Sequence, residues 1–404
     1  MTESATRRPP PLADARILHL FANYKWTGPA DPALRCAQGL RELGEDVVFA
    51  QAEWTLPAAE HRMATELRKS RLPVIGGLEL RKHMNLFSLR RDERSLARRL
   101  RSGEFDVVNA HLPADHLIAA LAVRRAKKRG AKAVLVRSLY DAEPPRRTWR
   151  TKLAFAMTDA VIAPTREVAA ALPGHFGLAP GRVLWLEPGT ALVRRQLTGD
   201  LRTKLGIAPG QIAIGITARI QPHRRFDLLG QVAKRVVTQA PEVRFVLLGR
   251  GNAKDTKELV QDPVKQLDLE KHVILPGYLY EPEYSLALRG LDLFLFLVPG
   301  SDGTCRAVRE ALALGLPVVS TPRGMLPGIL APMPEFGIED ACGIVAEETA
   351  EALAAGLLTL ARDPQARGRA SAAARAKAEG PMNPVQNAAA IAALYRELLA
   401  VGGS

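Results

Sequence analysis

Short apolar runs and amphipathic stretches alternate along most of the chain. ARILHLFANY reads as a strand, and DPALRCAQGLRELG, a little further on, carries its apolar residues at helical spacing. In that helix Asp31 is placed to cap, Pro32 to open and Gly44 to end it. EDVVFAQAE, DVVNAHL, KAVLVRSLYD, AVIAPT and RVLWLEPG follow as strands, with helical stretches between them. Strand and helix in this order are the grammar of a parallel sheet wrapped by helices.

The alternation pauses over residues 189–211, which contain no long apolar run and read as a linker. A second series then begins at IAIGITARI and continues through VRFVLLGRG, HVILPGYL, LFLFLVPG and LPVVST. AEALAAGLL, ARGRASAAARAKAEG and NPVQNAAAIAALYRELLA, at the end, are all helical. The expected architecture is α/β, with two Rossmann-like domains in tandem and a cleft between them. Residues 1–190 form the first domain and 191–380 the second. A terminal helix, 381–404, packs back on the first.

A chain of 404 residues with 47% apolar content suits two globular domains. No apolar run approaches a membrane span, and the first residues lack an apolar signal core and read as a loose tail. Cys36, Cys305 and Cys342 lie far apart with no CxxC pair, which argues against structural zinc and against a disulfide framework. The expected compartment is the cytoplasm.

The net charge of +14 is uneven. Residues 1–195 hold 33 lysines and arginines against 20 aspartates and glutamates, and the remainder holds 23 against 22. The first half therefore faces a different partner from the second: an anionic membrane surface, an acidic acceptor or nucleic acid. Nucleic acid fits least, because the basic stretches carry few aromatics and no known motif. RKHMNLFSLRRDERSLARRLR, residues 81–101, interleaves arginines with Leu86, Phe87, Leu89, Leu96 and Leu100. It reads either as an amphipathic helix lying on anionic lipid or as a solvated arginine-rich face.

Several chemistries are excluded. A full GxGxxG after the first strand is absent, and Gly249-Arg250-Gly251 alone is explained by a tight turn, so a nicotinamide dehydrogenase does not fit. There is no GxxxxGK[ST], HExxH or GxSxG.

The second half does hold a phosphate-binding set. Arg219 closes the strand IAIGITARI, and Arg224 stands just before the next helix. Strand C-termini line the ligand crevice of such a sheet, and guanidinium groups suit phosphate. In GSDGTCRAVREALALG a strand turns into a helix, so free N–H groups near Gly303, Thr304 and Cys305 suit an anion. Glu310 lies about 9 Å further along that helix, within reach of a ribose whose two hydroxyls it can accept. Asp302 has two readings, a helix N-cap or a ligand for a sugar at the far end of a diphosphate.

These residues resemble the GT-B glycosyltransferases of the retaining family 4 group. The family pattern G-R-L-x-x-x-K-G appears as ARIQPHRR, with Arg224 for the lysine. Its E-x7-E appears as Asp302-x7-Glu310, followed by GLPVVST. ILPGYLYEPE is similar to the loop beside the nucleotide base, which implies base reading near Gly277 and Tyr278. TDAVIAPTREVAAAL is similar to the stretch before the inter-domain linker. The resemblance is strong over residues 212–324 and looser before. It implies that Asp302 holds the donor sugar and that Gly28, in NYKWTGPADP, lies in the loop near the donor. DVVNAHLPADHL is similar to the family's fourth strand and offers His111 and Asp115. VRSLYD places Tyr140 where many members have histidine, flanked by Arg137 and Asp141.

The function implied is retaining transfer of a hexosyl or related group from a nucleotide-diphosphate sugar to a glycan or lipid-linked acceptor. The acceptor is expected to belong to the cell envelope, and the enzyme to be cytoplasmic or peripheral on the inner membrane face. No metal or other cofactor is expected, since arginines and a helix end can stabilise the leaving diphosphate. Two alternatives stay open: a GT-B-shaped scaffold without catalysis, motivated by the replacements at 302, 224 and 140, and a sugar-nucleotide epimerase.

Overall fold

The apolar runs form two parallel six-stranded sheets flanked by helices, as the alternation predicts. A computed structural model describes residues 12, 15–54, 60–83, 85–179, 181–190, 197–299 and 303–402. The chain divides into two compact units, Met1–Gly189 with Pro381–Ser404 and Thr190–Gly380.

Unit 1 begins with β1 (Arg16–Phe21), α1 (Ala30–Glu42), β2 (Asp46–Gln51), α2 (Arg62–Ser70) and α3 (Leu86–Arg101). It continues with β3 (Val107–Ala110), α4 (Pro113–Lys127), β4 (Val134–Ser138), α5 (Trp149–Phe155), β5 (Ala160–Ala163), α6 (Arg166–Phe176) and β6 (Val183–Trp185). Unit 2 begins with β7 (Ile212–Thr217), α7 (Phe226–Gln239), β8 (Val243–Leu248), α8 (Ala253–Thr256), α9 (Asp262–Gln266), β9 (Val273–Gly277) and α10 (Glu283–Arg289). It ends with β10 (Leu293–Phe296), α11 (Arg306–Ala313), β11 (Val318–Ser320), α12 (Leu326–Leu330), β12 (Gly343–Val345), α13 (Ala350–Arg362) and α14 (Pro364–Glu379). The terminal helix α15 (Pro384–Gly402) belongs to unit 1. The strand orders are β2-β1-β3-β4-β5-β6 and β12-β11-β10-β7-β8-β9.

The central strands are buried on both faces, which is why they read as continuous apolar runs. In unit 1 the odd residues of β1, Ile17 and Phe21, join α1, α2 and α15 in one core layer. Leu18 and Leu20 join α3, α4 and α5 in the other. Helix α15 supplies Ala388, Ile391, Ala392, Tyr395 and Leu398 to the first layer. A methyl group on Gly39 of α1 would lie 2.6 Å from the Pro384 carbonyl oxygen, so this glycine permits the close crossing of α1 and α15.

Three local readings change. Asp31 does not cap α1. The helix starts at Ala30 after Pro29, whose own φ of −62° and ψ of −21° are already helical, and Asp31 lies 3.4 Å from Arg35 one turn on. Of residues 81–101 only 86–101 are helical, with the Asn85 side chain accepting the Ser88 N–H. Of the stretch read as a linker, residues 191–196 lie outside the described residues, Gly189 closes unit 1, and residues 197–211 belong to unit 2. There Arg202 donates to the Gly290 and Gln211 carbonyls and pairs with Asp292 at 2.9 Å.

Among the described residues no helix is long and apolar enough to cross a membrane.

Candidate functional site

Two polar constellations stand out, each at the C-terminal edge of its sheet, where parallel α/β folds present ligands with side chains.

In unit 2 the chain leaves β7 with Arg219 exposed two residues beyond the strand. Arg224 lies in a short turn before α7 and donates to the Val298 carbonyl at 3.1 Å, just past β10. Its neighbour Arg225 has φ +56°, at the position where the family pattern carries glycine. Asp227 and Glu348 both hold the Arg225 guanidinium, so that cation is spent inside the protein. Gly303 and Cys305 also have positive φ, of +66° and +50°. That backbone stops the helix from extending back to Thr304, so α11 starts at Arg306 and Glu310 sits just over one turn in.

Glu310 is 4% exposed and firmly oriented. Tyr284 of α10 donates its hydroxyl to Glu310 Oε2 at 3.0 Å and lies 3.3 Å from Thr217 Oγ1 at the end of β7. Arg306 Nε is 3.5 Å from the other carboxylate oxygen. Beneath the turn, buried Arg309 donates to the Thr304 carbonyl at 3.0 Å. The structure thus gathers Arg219, Arg224, Gly303, Thr304, Cys305 and Glu310 at the ends of β7 and β10. Asp302 lies outside the described residues. Gly277 and Tyr278 are at the end of β9, where Gly277 has φ +80° and the Arg250 guanidinium stacks 4.5 Å over the Tyr278 ring. The Gly249-Arg250-Gly251 pair is there for close packing rather than for a turn alone. A methyl on Gly249 would fall 1.9 Å from the Ala218 carbonyl oxygen.

Tyr284 and Arg309 carry no sequence signal, since each acts across a distance the chain order hides. Tyr284→Phe leaves Glu310 short of one hydrogen bond, so it is expected to weaken nucleotide binding about five-fold, at roughly 1 kcal/mol per hydrogen bond, without unfolding the chain. Calorimetry with UDP checks this.

In unit 1 the site residues converge on a buried chain of rings. His19 Nδ1 is 2.9 Å from His111 Nε2, and His111 Nδ1 is 2.6 Å from the Tyr140 hydroxyl. His19 and His111 are fully buried, and Tyr140 is 8% exposed. Burial lowers His19 to about 3, and burial, His19 and Arg137 hold His111 well below the ordinary histidine value. Asp115 at the start of α4 accepts from Ala22 N–H at 2.8 Å and Leu112 N–H at 2.7 Å, tying β1 to α4. Burial raises its carboxyl to about 7, opposed by the Arg137 charge and these N–H groups. Arg137 donates to the Ala110 carbonyl at 3.1 Å. A second buried chain links Ser138, Asn109 and Tyr395, and so fixes β3, β4 and α15 together. Gly28 is buried in the turn between β1 and α1. The sequence signal for His19, a polar residue inside the apolar run of β1, was available but carried no partner.

Comparison with known proteins gives a consistent picture. The family described as Glycosyltransferase Family 4 matches residues 33–194, and that described as Glycosyl transferases group 1 matches residues 198–377. A D-inositol 3-phosphate glycosyltransferase of Rhodococcus erythropolis is 29% identical over 192 residues, 46% of this chain and 43% of that protein. A poly(ribitol-phosphate) alpha-N-acetylglucosaminyltransferase of Staphylococcus aureus is 31% identical over 109 residues, 26% of this chain and 20% of that one. The chain thus matches less than half the length of these curated relatives. The crystal structure of Anabaena Alr3699/HepE in complex with UDP superposes with a TM-score of 0.73 at 18% identity, covering 95% of this chain and 100% of that one. At that identity the likeness speaks for the fold, which is GT-B. With one family profile over each half and the fold in agreement, the chain belongs to the family 4 group of GT-B glycosyltransferases.

Proposed function

We propose that this chain transfers a sugar from a nucleotide-diphosphate sugar to a glycan or lipid-linked acceptor of the cell envelope, with retention at the anomeric carbon. The observation that carries the donor reading is that Arg219, Arg224, a left-handed turn and an oriented carboxylate all stand past the strand ends at one sheet edge of unit 2. UDP is the nucleotide named for the Anabaena structure, and is the first probe for this chain. Arg219 and Arg224 hold the diphosphate, Glu310 accepts the ribose hydroxyls, and Gly277 and Tyr278 face the base. Asp302 takes the sugar hydroxyls, in keeping with the acid pair spaced Asp302-x7-Glu310. Unit 1, with the terminal helix, holds the acceptor, with Arg137 and Tyr140 near it, Asp115 bracing the strand end and His111 positioning Tyr140.

In the reaction the bond between the anomeric carbon and the diphosphate oxygen breaks. The bond to the acceptor oxygen forms on the same face, and the acceptor proton passes to the departing diphosphate. No side-chain nucleophile is required. The arginines stabilise negative charge as it develops on the leaving group.

The test is calorimetry with UDP, GDP, ADP and their sugar conjugates, followed by transfer and donor-hydrolysis assays on Asp302→Ala. That variant is expected to lose about 100-fold in transfer rate, at roughly 1.5–3 kcal/mol per charged hydrogen bond, while its nucleotide affinity changes far less. Equal activity in variant and wild type removes Asp302 from the site. No nucleotide binding by folded wild type points to a scaffold, and interconversion of donor without acceptor points to an epimerase.

A further inference from the structure

Three of the most exposed large apolar side chains lie in unit 1, at two helix tips: Phe87 is 79% exposed, Trp149 69% and Leu86 62%. Leu86 and Phe87 are the first two residues of α3, and Trp149 is the first of α5. Both tips are rigid. The Asn85 and Thr148 side chains cap them, each accepting from a backbone N–H three residues on. Leu96, Ala97 and Leu100 anchor α3 in the core, and Ala154 and Phe155 anchor α5 in the unit. Asp92 accepts from the Glu79 and Leu80 N–H groups at 2.9 Å, fixing the first turns of α3.

Helix α4 packs against both α3 and α5 on one face of the sheet. All three helices lead back to the start of the next parallel strand, or down from the strand just left, so their N-termini share the C-terminal edge of the sheet. That is the edge on which Arg137 and Tyr140 lie. Exposed cations surround each tip: Arg81, Lys82, Arg90, Arg91 and Arg94 at α3, and Arg146, Arg147, Arg150 and Lys152 at α5. The acids nearby are fewer. Glu79 pairs with Arg81 at 3.2 Å and with Arg91 at 3.5 Å, and Asp141 and Glu143 are exposed before α5.

Leucine, phenylalanine and tryptophan standing out from a rigid edge, among arginines, are the chemistry of an interface between lipid headgroups and acyl chains. The amphipathic reading of residues 81–101 as a helix lying flat on lipid does not hold, because Leu96 and Leu100 are in the core. We infer that unit 1 docks on an anionic bilayer by inserting the tips of α3 and α5, Leu86, Phe87 and Trp149, while the surrounding arginines engage headgroup phosphates. This deepens the lipid-linked acceptor reading, and rests on it only for the reason this edge faces lipid.

The experiment is co-sedimentation of the full chain with vesicles of phosphatidylcholine alone and of equal parts phosphatidylcholine and phosphatidylglycerol. Wild type is expected to pellet with the anionic vesicles only, and to be released by high salt. Leu86→Ser with Phe87→Ser, and separately Trp149→Ser, each reduce binding about ten-fold, in line with the loss of a buried apolar side chain. Arg146→Glu with Arg147→Glu reduces it further at low salt than at high salt. UDP affinity is unchanged in all of them. The inference is overturned if wild type ignores anionic vesicles, or if the tip variants bind as wild type does. It is also overturned if the tips instead mediate self-association, seen as a concentration-dependent sedimentation coefficient lost in Leu86→Ser with Phe87→Ser. Vesicle binding without any nucleotide binding leaves this inference standing and defeats the transferase reading.

Discussion

Glu310→Ala is expected to bind UDP about 100-fold more weakly than wild type in a calorimetric titration. The size follows from the number of contacts removed. A carboxylate that accepts two ribose hydroxyls makes two charge-assisted hydrogen bonds, each worth roughly 1.5–3 kcal/mol, and about 2.7 kcal/mol is already two decades in affinity. Glu310 is also preset, since Tyr284 occupies Oε2 and Arg306 lies beside Oε1. Little side-chain entropy is then lost on binding. Glu310→Gln keeps one acceptor oxygen and is expected to fall between the two. The variants must melt close to wild type for the comparison to count, because removing the carboxylate takes one partner from the Tyr284 hydroxyl, which keeps Thr217 Oγ1. Unchanged UDP affinity in a folded Glu310→Ala chain takes this residue out of the donor site. Loss in Glu310→Ala with none in Tyr284→Phe keeps the site and discards the positioning role of Tyr284.

Unit 1 is expected to lose stability as pH falls from about 6 towards 5. Three histidines there are buried and neutral: His19 held at about 3 by burial, and His111 and His116 held below the ordinary value by burial and by the Arg137 charge. Their folded values lie below the unfolded value of about 6.5. In that window unfolding takes up protons, so the stability they contribute is present above about pH 6.5 and is lost as pH falls. Asp115, raised to about 7 by burial, has the opposite sign, and Asp92, raised by burial, acts in the same sense as Asp115. Between about pH 4 and 6.5 they offset up to two of the three protons. Near pH 6.5 the unfolded histidines are only half protonated and the opposing groups nearly cancel, whereas by about pH 5 roughly one net proton or more remains, or about 1.4 kcal/mol per pH unit, a large share of a total near 5–15 kcal/mol. All four tryptophans, Trp26, Trp54, Trp149 and Trp185, lie in unit 1, so urea unfolding followed by their fluorescence reads this unit alone. His116→Gln, which retains a hydrogen-bond partner for Thr158, is expected to reduce the slope by one proton. A flat stability between pH 7 and 5 would falsify this account.

Much of the fold was legible because a parallel sheet buries its strands on both faces. Each strand announces itself locally as an apolar run, and LFLFLVPG, VRFVLLGRG and IAIGITARI needed no distant information. Gly44 could be read as a helix end because its φ of +92° is a local demand of the chain. The acid spacing at 302 and 310 and the arginines of ARIQPHRR were visible for a related reason. Strand ends and the turns after them are contiguous in sequence, so a site built on such turns leaves its spacing in the chain. Helix α3 shows the boundary of this approach. Its leucines were legible as apolar, but nothing local separated Leu96 and Leu100, which the core absorbs, from Leu86 and Phe87, which remain in solvent.

By itself, then, the sequence determined the order of strands and helices, the α/β class and the family motif, since each rests on periodicity and spacing within a few dozen residues. Only the tertiary structure decided who meets whom across the chain. Tyr284 reaches Glu310, His19 reaches His111, and Gly39 makes room for α15, at separations that no local pattern records. A hydrogen bond or a close crossing is set by the packing of whole elements, and the two residues that make it carry no mutual mark until the sheet and its helices have brought them together.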